Sequence, residues 1–123
     1  MATPTVLLIV EDEATASKAL RMKFEKANFQ ITIAGDGEQA LSALKEKKFD
    51  VVLLDLVLPK KDGFEVLTEL QQQKNTTPVI VLTNLGTDND AERAKSLGAK
   101  GYFVKSMTPM KDVVDFIHTL LPA

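Results

Sequence analysis

The sequence predicts an α/β fold built on a doubly wound, five-stranded parallel sheet, and three observations carry that expectation. Val6-Leu7-Leu8-Ile9-Val10, Val51-Val52-Leu53-Leu54 and Val79-Ile80-Val81-Leu82 are short continuous apolar runs, as central strands covered on both faces require. Weaker strand-like runs occur at Gln30 to Ala34 and Gly101 to Val104. Segments with helical spacing separate all five runs, so βα repeats five times.

Taken in order, the punctuation agrees with this alternation. Asp36 with Gln39, and Asp62 with Glu65, have capping-box spacing and should open the second and third helices. Asn75 to Pro78 breaks the chain before the fourth strand, and Gly98 follows the segment Ala91 to Leu97 where a left-handed residue ends a helix. Thr108 precedes Pro109, which suits the first position of the last helix. Alternating βα units give right-handed crossovers and helices on both faces. For five strands the expected order is 2-1-3-4-5, the flavodoxin-like (βα)5 arrangement.

Composition narrows the function. At 123 residues without linker, repeat or low-complexity tract, residues 1–123 are expected to form one domain. Hydrophobic residues make up 45% and charged residues 26%, an ordinary globular balance. A net charge of -2 gives no reason to expect direct nucleic-acid or membrane binding, which rests on clustered Lys and Arg. No cysteine is present, which excludes disulfides, thiolate nucleophiles and thiolate metal sites. The longest apolar stretch, Thr5 to Val10, is far shorter than the roughly 18 residues of a membrane span, and no basic leader precedes it. A cytoplasmic location is expected.

Ligands of open α/β sheets bind beyond the carboxyl ends of the strands, where the winding reverses. There the first run ends in Glu11-Asp12, the third in Asp55, the fourth in Thr83 and the fifth in Lys105. Three carboxylates brought together repel one another and call for raised pKa values or a cation between them. An all-oxygen set suits Mg²⁺, and with only His118 in the chain a His-based zinc site is not available. An aspartate can attack phosphorus and form an aspartyl phosphate. Positive charge from a metal ion and Lys105 would stabilise that transfer from two sides, with the Thr83 hydroxyl donating to a phosphoryl oxygen.

Each residue alone has a plainer reading. Asp55 could cap a helix, Glu11-Asp12 could be a solvated turn, Lys105 a surface lysine, Thr83 a strand-end hydroxyl and Tyr102 a half-buried strand aromatic. Their convergence on one end of the sheet favours the chemical reading. His118 reads as a surface histidine, Met22, Met107 and Met110 as core or gap fillers, and Lys45 to Lys48 as a solvated helix end.

With these residues in view, the chain resembles the receiver domain of two-component response regulators over nearly its whole length. The resemblance rests on Leu7-Leu8-Ile9-Val10-Glu11-Asp12-Glu13, Asp55-Leu56-Val57-Leu58-Pro59 followed by Asp62-Gly63, Thr83 after an apolar strand, and Gly101-Tyr102-Phe103-Val104-Lys105. It implies that Asp55 is the phospho-acceptor. It further implies that Asp12, Asp55 and the Val57 carbonyl hold Mg²⁺, with Glu11 acting through water. Thr83 would close on the phosphoryl group, Lys105 would pair with it, and Tyr102 would turn inward as Thr83 moves. The implied donor is a sensor histidine kinase or phosphotransfer protein. The implied output is a changed preference of the surface of the fourth helix, fifth strand and fifth helix for a protein partner or a linked output domain. The family includes monomers and weak dimers through that surface. Such a chain is no enzyme beyond its own phosphorylation and dephosphorylation.

Three departures from the family pattern carry expectations of their own. Asn84 replaces a usually small residue after Thr83 and narrows the approach for small donors. Ser106 stands where a cis proline usually follows the lysine, and a cis bond without proline costs about 2.5 to 4 kcal/mol, so a trans bond or local strain is expected. Val57 and Leu85, two beyond Asp55 and Thr83, are apolar and cannot orient an attacking water, which points to a long-lived phosphorylated state.

Competing functions fit less well. A haloacid-dehalogenase-like phosphohydrolase needs a second aspartate where Val57 stands. A flavin-binding domain needs a phosphate cradle where the loop after the first strand is acidic. A receiver-like interaction module that is never phosphorylated would have no use for the intact acceptor, acidic pair, threonine and lysine. The cognate kinase and output, and whether the chain is a stand-alone receiver, a relay intermediate or a domain of a longer regulator, are left open.

Overall fold

In a computed structural model, which describes residues 4–84 and 87–121, five strands and five helices alternate along the chain. They are β1 (Thr5–Val10), α1 (Ala14–Lys26), β2 (Phe29–Ala34), α2 (Gly37–Glu46), β3 (Val51–Leu54), α3 (Gly63–Gln72), β4 (Val79–Thr83), α4 (Asp88–Ser96), β5 (Gly101–Val104) and α5 (Met110–Leu120), with one 3₁₀ turn over Lys105–Met107. The sheet is parallel throughout, in the order β2-β1-β3-β4-β5, as expected.

Strand residues alternate between two cores. Leu8, Val10, Val52, Leu54 and Val81 pack with Ala40 and Leu41 of α2, Phe64 and Leu67 of α3 and Ala94 of α4. Leu7, Ile9, Val51, Leu53, Ile80 and Leu82 pack with Phe24 of α1 and Val113 and Ile117 of α5. Phe24 and Ile117 are fully buried, and each such side chain stabilises the fold by about 1.5–3 kcal/mol. Both faces of the sheet are therefore covered, which is why its strands read as unbroken apolar runs.

The caps follow the sequence with two shifts. Asp36 accepts from the Gln39 N–H at 2.8 Å, and Asp62 from that of Glu65 at 2.9 Å. Gln39 closes its box one residue early, its Oε1 accepting from the Gly35 N–H. Gly98 has φ +104° and ends α4. Pro109, expected as the first residue of the last helix, is instead its N-cap, with ψ 141° and its carbonyl accepting from the Asp112 N–H.

Two of the three methionines expected in the core lie outside it. Met22 is 52% and Met107 80% exposed, because Met22 sits on the outer side of α1 and Met107 in the turn after β5. Met110 does pack on the α1/α5 core. His118 is exposed, its ring edge-on to Phe29. No described peptide bond is cis, so the bond before Ser106 is trans.

Candidate functional site

The register of the sheet creates the site. Val10 of β1 pairs with Ala34 and with Leu54, so the residues after β1 and β3 emerge side by side. The ladder runs one step further, with the Glu11 N–H donating to Ala34 O and the Asp55 N–H to Val10 O. Thr83 closes β4 and pairs with Val104 of β5, directly before Lys105. Glu11, Asp55, Thr83 and Lys105 thus converge from four strands.

Asp55 is 8% exposed and its carboxylate is held on both oxygens. Oδ1 accepts from the Thr83 hydroxyl at 2.8 Å and from the Val57 N–H at 3.1 Å, while Oδ2 accepts from Lys105 Nζ at 2.9 Å. Lys105 also donates to Glu11 Oε1, and Glu11 Oε2 accepts from the Glu13 N–H. Burial works against the Lys105 ammonium, but its hydrogen bonds and charge pairing with Glu11 and Asp55 outweigh that and raise its pKa above the ordinary 10.5. One partly buried cation thus bridges two buried carboxylates, an arrangement that pairing makes tolerable.

Asp12 completes the acidic group from an exposed position. One oxygen each of Glu11, Asp12 and Asp55 lie within 4.8 Å of one another. This donor set consists of hard oxygens with an open, solvent-facing side, which fits a divalent cation that keeps part of its water shell. Both oxygens of Glu11 and both of Asp55 accept hydrogen bonds, whereas Asp12 is exposed. Val57, whose N–H donates to Asp55, is 57% exposed.

Tyr102 lies half-buried on β5 and packs against the core of α2, α3 and α4. Burial, then the charges of Asp90 and Asp55, raise its pKa above 10.0. Asn84 is exposed immediately after Thr83, and Leu85 lies outside the described residues. Two residues that spacing alone did not bring to the site are Gly37 and Lys61. A Cβ at Gly37 would meet the Lys61 carbonyl oxygen at 2.2 Å, which packs α2 against the loop that follows Asp55.

A family model, the response regulator receiver domain, matches residues 7–117. The chain belongs to the response regulator receiver family. It is 36% identical over 117 residues to the transcriptional regulatory protein ResD of Bacillus subtilis, covering 95% of this chain and 48% of that protein. It is equally identical over 115 residues to SrrA of Staphylococcus aureus, covering 94% and 47%. The chain thus spans about half the length of the curated relatives it matches. Among solved structures, a Francisella response regulator receiver domain superposes with TM-score 0.90 at 26% identity, covering 94% of this chain and 95% of that one. The BeF3-activated N-terminal receiver domain of Klebsiella pneumoniae RstA gives 0.86 at 25%, covering 96% and 100%. Phosphorylation-based switching is the standard activity of receiver domains in two-component signalling. No helix among the described residues is long and apolar enough to cross a membrane.

Proposed function

We propose that residues 1–123 work as one receiver unit that takes a phosphoryl group on Asp55. The observation that carries this reading is the Asp55 carboxylate, buried between the Thr83 hydroxyl and the Lys105 ammonium, with Glu11 and Asp12 alongside. One Asp55 oxygen forms the new bond to phosphorus while the bond from phosphorus to the donor's leaving group breaks, and the leaving group departs with that electron pair. Asp12, Asp55 and the Val57 carbonyl would hold Mg²⁺, with Glu11 acting through water. When bound, Mg²⁺ supplies positive charge that neutralises the phosphoryl oxygens.

The chain's own donors then change partners. Lys105 and Thr83, which hold Asp55 before transfer, pair with phosphoryl oxygens after it. Withdrawal of the Thr83 hydroxyl from Asp55 lets Tyr102, one strand away, turn inward, and the α4-β5-α5 surface changes its preference. The phosphoryl donor is a sensor histidine kinase or phosphotransfer protein. The recipient of the signal is a protein partner or a linked output domain, and the unit is a monomer or a weak dimer through the same surface. This chemistry belongs to the cytoplasm, and the chain catalyses only its own phosphorylation and dephosphorylation.

The deciding experiment is intact mass after incubation with Mg²⁺ and a small acyl phosphate, beside Asp55→Asn and a chelator-treated sample. Gain of one phosphoryl group only in the unmodified, Mg²⁺-containing sample is expected. If mass also stays unchanged with a histidine-kinase donor, the reading fails; if only the kinase works, Asn84 blocks small donors.

A further inference from the structure

The loop from Leu56 to Asp62 carries the Val57 carbonyl and follows the acceptor directly, yet much of it is exposed and Lys60 sits in the left-handed region at φ 65°. A loop of this kind is soft unless its surroundings hold it. Three contacts from neighbouring elements do so. At its far end, Gly63 packs so tightly that a Cβ there would meet Asp55 O at 2.7 Å and Leu56 Cα at 2.6 Å, and its N–H donates to Leu56 O at 2.9 Å. On one side, Gly37 at the start of α2 lies against Lys61, leaving no room for a methyl group. On the other, Lys61 Nζ reaches Glu69 of α3 at 2.5 Å, and that hydrogen bond raises the Lys61 pKa.

We infer that Gly37 and the Lys61–Glu69 pair are positioning groups for metal binding: together they brace the loop so that the Val57 carbonyl and the Asp55 carboxylate face the cation. The inference rests on the Mg²⁺ site proposed above. The direction of yielding follows from burial. Ala40 and Leu41 anchor α2 in the core at 0% and 7% exposure, so a side chain added at position 37 displaces the exposed loop and not the helix. Helix propensity acts the other way, because Ala is favoured over Gly within a helix by about 1 kcal/mol. A purely helical role for Gly37 therefore predicts an unchanged or firmer fold in Gly37→Ala, with metal binding untouched.

Gly35 provides the control two residues away. A Cβ there meets only the flexible Gln39 side chain at 3.4 Å, so Gly35→Ala leaves the loop alone. The experiment titrates Mg²⁺ into the wild type, Gly35→Ala, Gly37→Ala and Glu69→Gln, follows the backbone amide resonances of residues 55–62, and checks each fold by urea denaturation. Gly37→Ala is expected to bind Mg²⁺ about tenfold more weakly, the scale of lost second-sphere support. Glu69→Gln, which spares both glycines, is expected to lose about twofold, as suits a pair one-third exposed. Phosphoryl uptake by both variants should recover at saturating Mg²⁺, which a general folding defect does not allow. Wild-type affinity in Gly37→Ala overturns the inference, and if that variant does not fold, wild-type affinity in Glu69→Gln overturns it. A wild type whose loop resonances ignore Mg²⁺ refutes the metal site itself, a separate failure.

Discussion

Thr83 Oγ1, at the fully buried end of β4, donates to Asp55 Oδ1 across 2.8 Å. The bond ties the proposed switch residue to the proposed acceptor before any phosphoryl group arrives. Thr83→Val keeps the shape of the side chain and removes the donor. A hydrogen bond to a carboxylate is worth about 1.5–3 kcal/mol, so urea denaturation should show a loss of that size. Phosphoryl uptake should persist in this variant, while the response of the partner surface is lost, read as amide shifts on α4 and β5 after phosphorylation.

Lys105→Met leaves Glu11 and Asp55 buried without their cation. The expected cost in Mg²⁺-free buffer is about 2 to 3 kcal/mol, below the range for fully buried pairs because 21% of the Lys105 side chain meets solvent. At one fixed Mg²⁺ concentration, a hundredfold above the variant's Kd, the ion should stabilise Lys105→Met by about 2.7 kcal/mol. The wild type should gain less, because its Lys105 already supplies positive charge to Glu11 and Asp55. Thermal unfolding with and without Mg²⁺ checks this, and equal shifts in variant and wild type contradict it.

Alkaline pH should weaken the fold through two groups. Lys105 and Tyr102 both have folded pKa values raised above their unfolded ones, near 10.5 and 10.0. A raised folded pKa gives stability that is complete below the unfolded value and disappears as pH rises through the folded one. Stability should therefore be insensitive to these groups at neutrality and fall above about pH 10. Tyr102 is the only tyrosine, so ultraviolet absorbance reports its titration directly, and Asp90→Asn should lower its midpoint.

Val57 exposes its apolar side chain beside Asp55, the proposed acceptor, and that side chain offers no group to orient water. Val57→Asn places an amide there, and the phosphorylated state should decay about tenfold faster, a modest gain for a positioned water. Loss of the phosphoryl mass over time measures it. An unchanged decay rate would remove Val57 from the account of lifetime.

The parts of the molecule legible in the sequence are those governed by local chemistry or by the sheet. Three apolar runs locate β1, β3 and β4, and the carboxylates of Asp36 and Asp62 fall three residues before the amides they accept from. Glu11, Asp12, Asp55, Thr83 and Lys105 were readable as a group because parallel strands place all their carboxyl ends on one side. Close approaches between elements left no such trace. The contact of Gly37 with Lys61 joins α2 to the loop after β3, and neither sequence position signals the other. Met22 and Met107 misled because apolar character states a preference for burial, while the side of α1 and the turn after β5 determine exposure. Pro109 fell one position early because proline's fixed φ suits both a helix's first residue and the extended residue before it.

The bridge from Glu11 through Lys105 to Asp55 joins residues separated by 94 and 50 positions along the chain. A protein emerging from the ribosome holds both acidic residues long before it holds their lysine. Until β5 docks, Asp55 lacks its cation, and long-range pairings of this kind are slow to form. The role proposed for Asp55 is therefore tied to completion of folding: a half-made or misfolded copy carries Asp55 but not the Lys105 bridge that holds it.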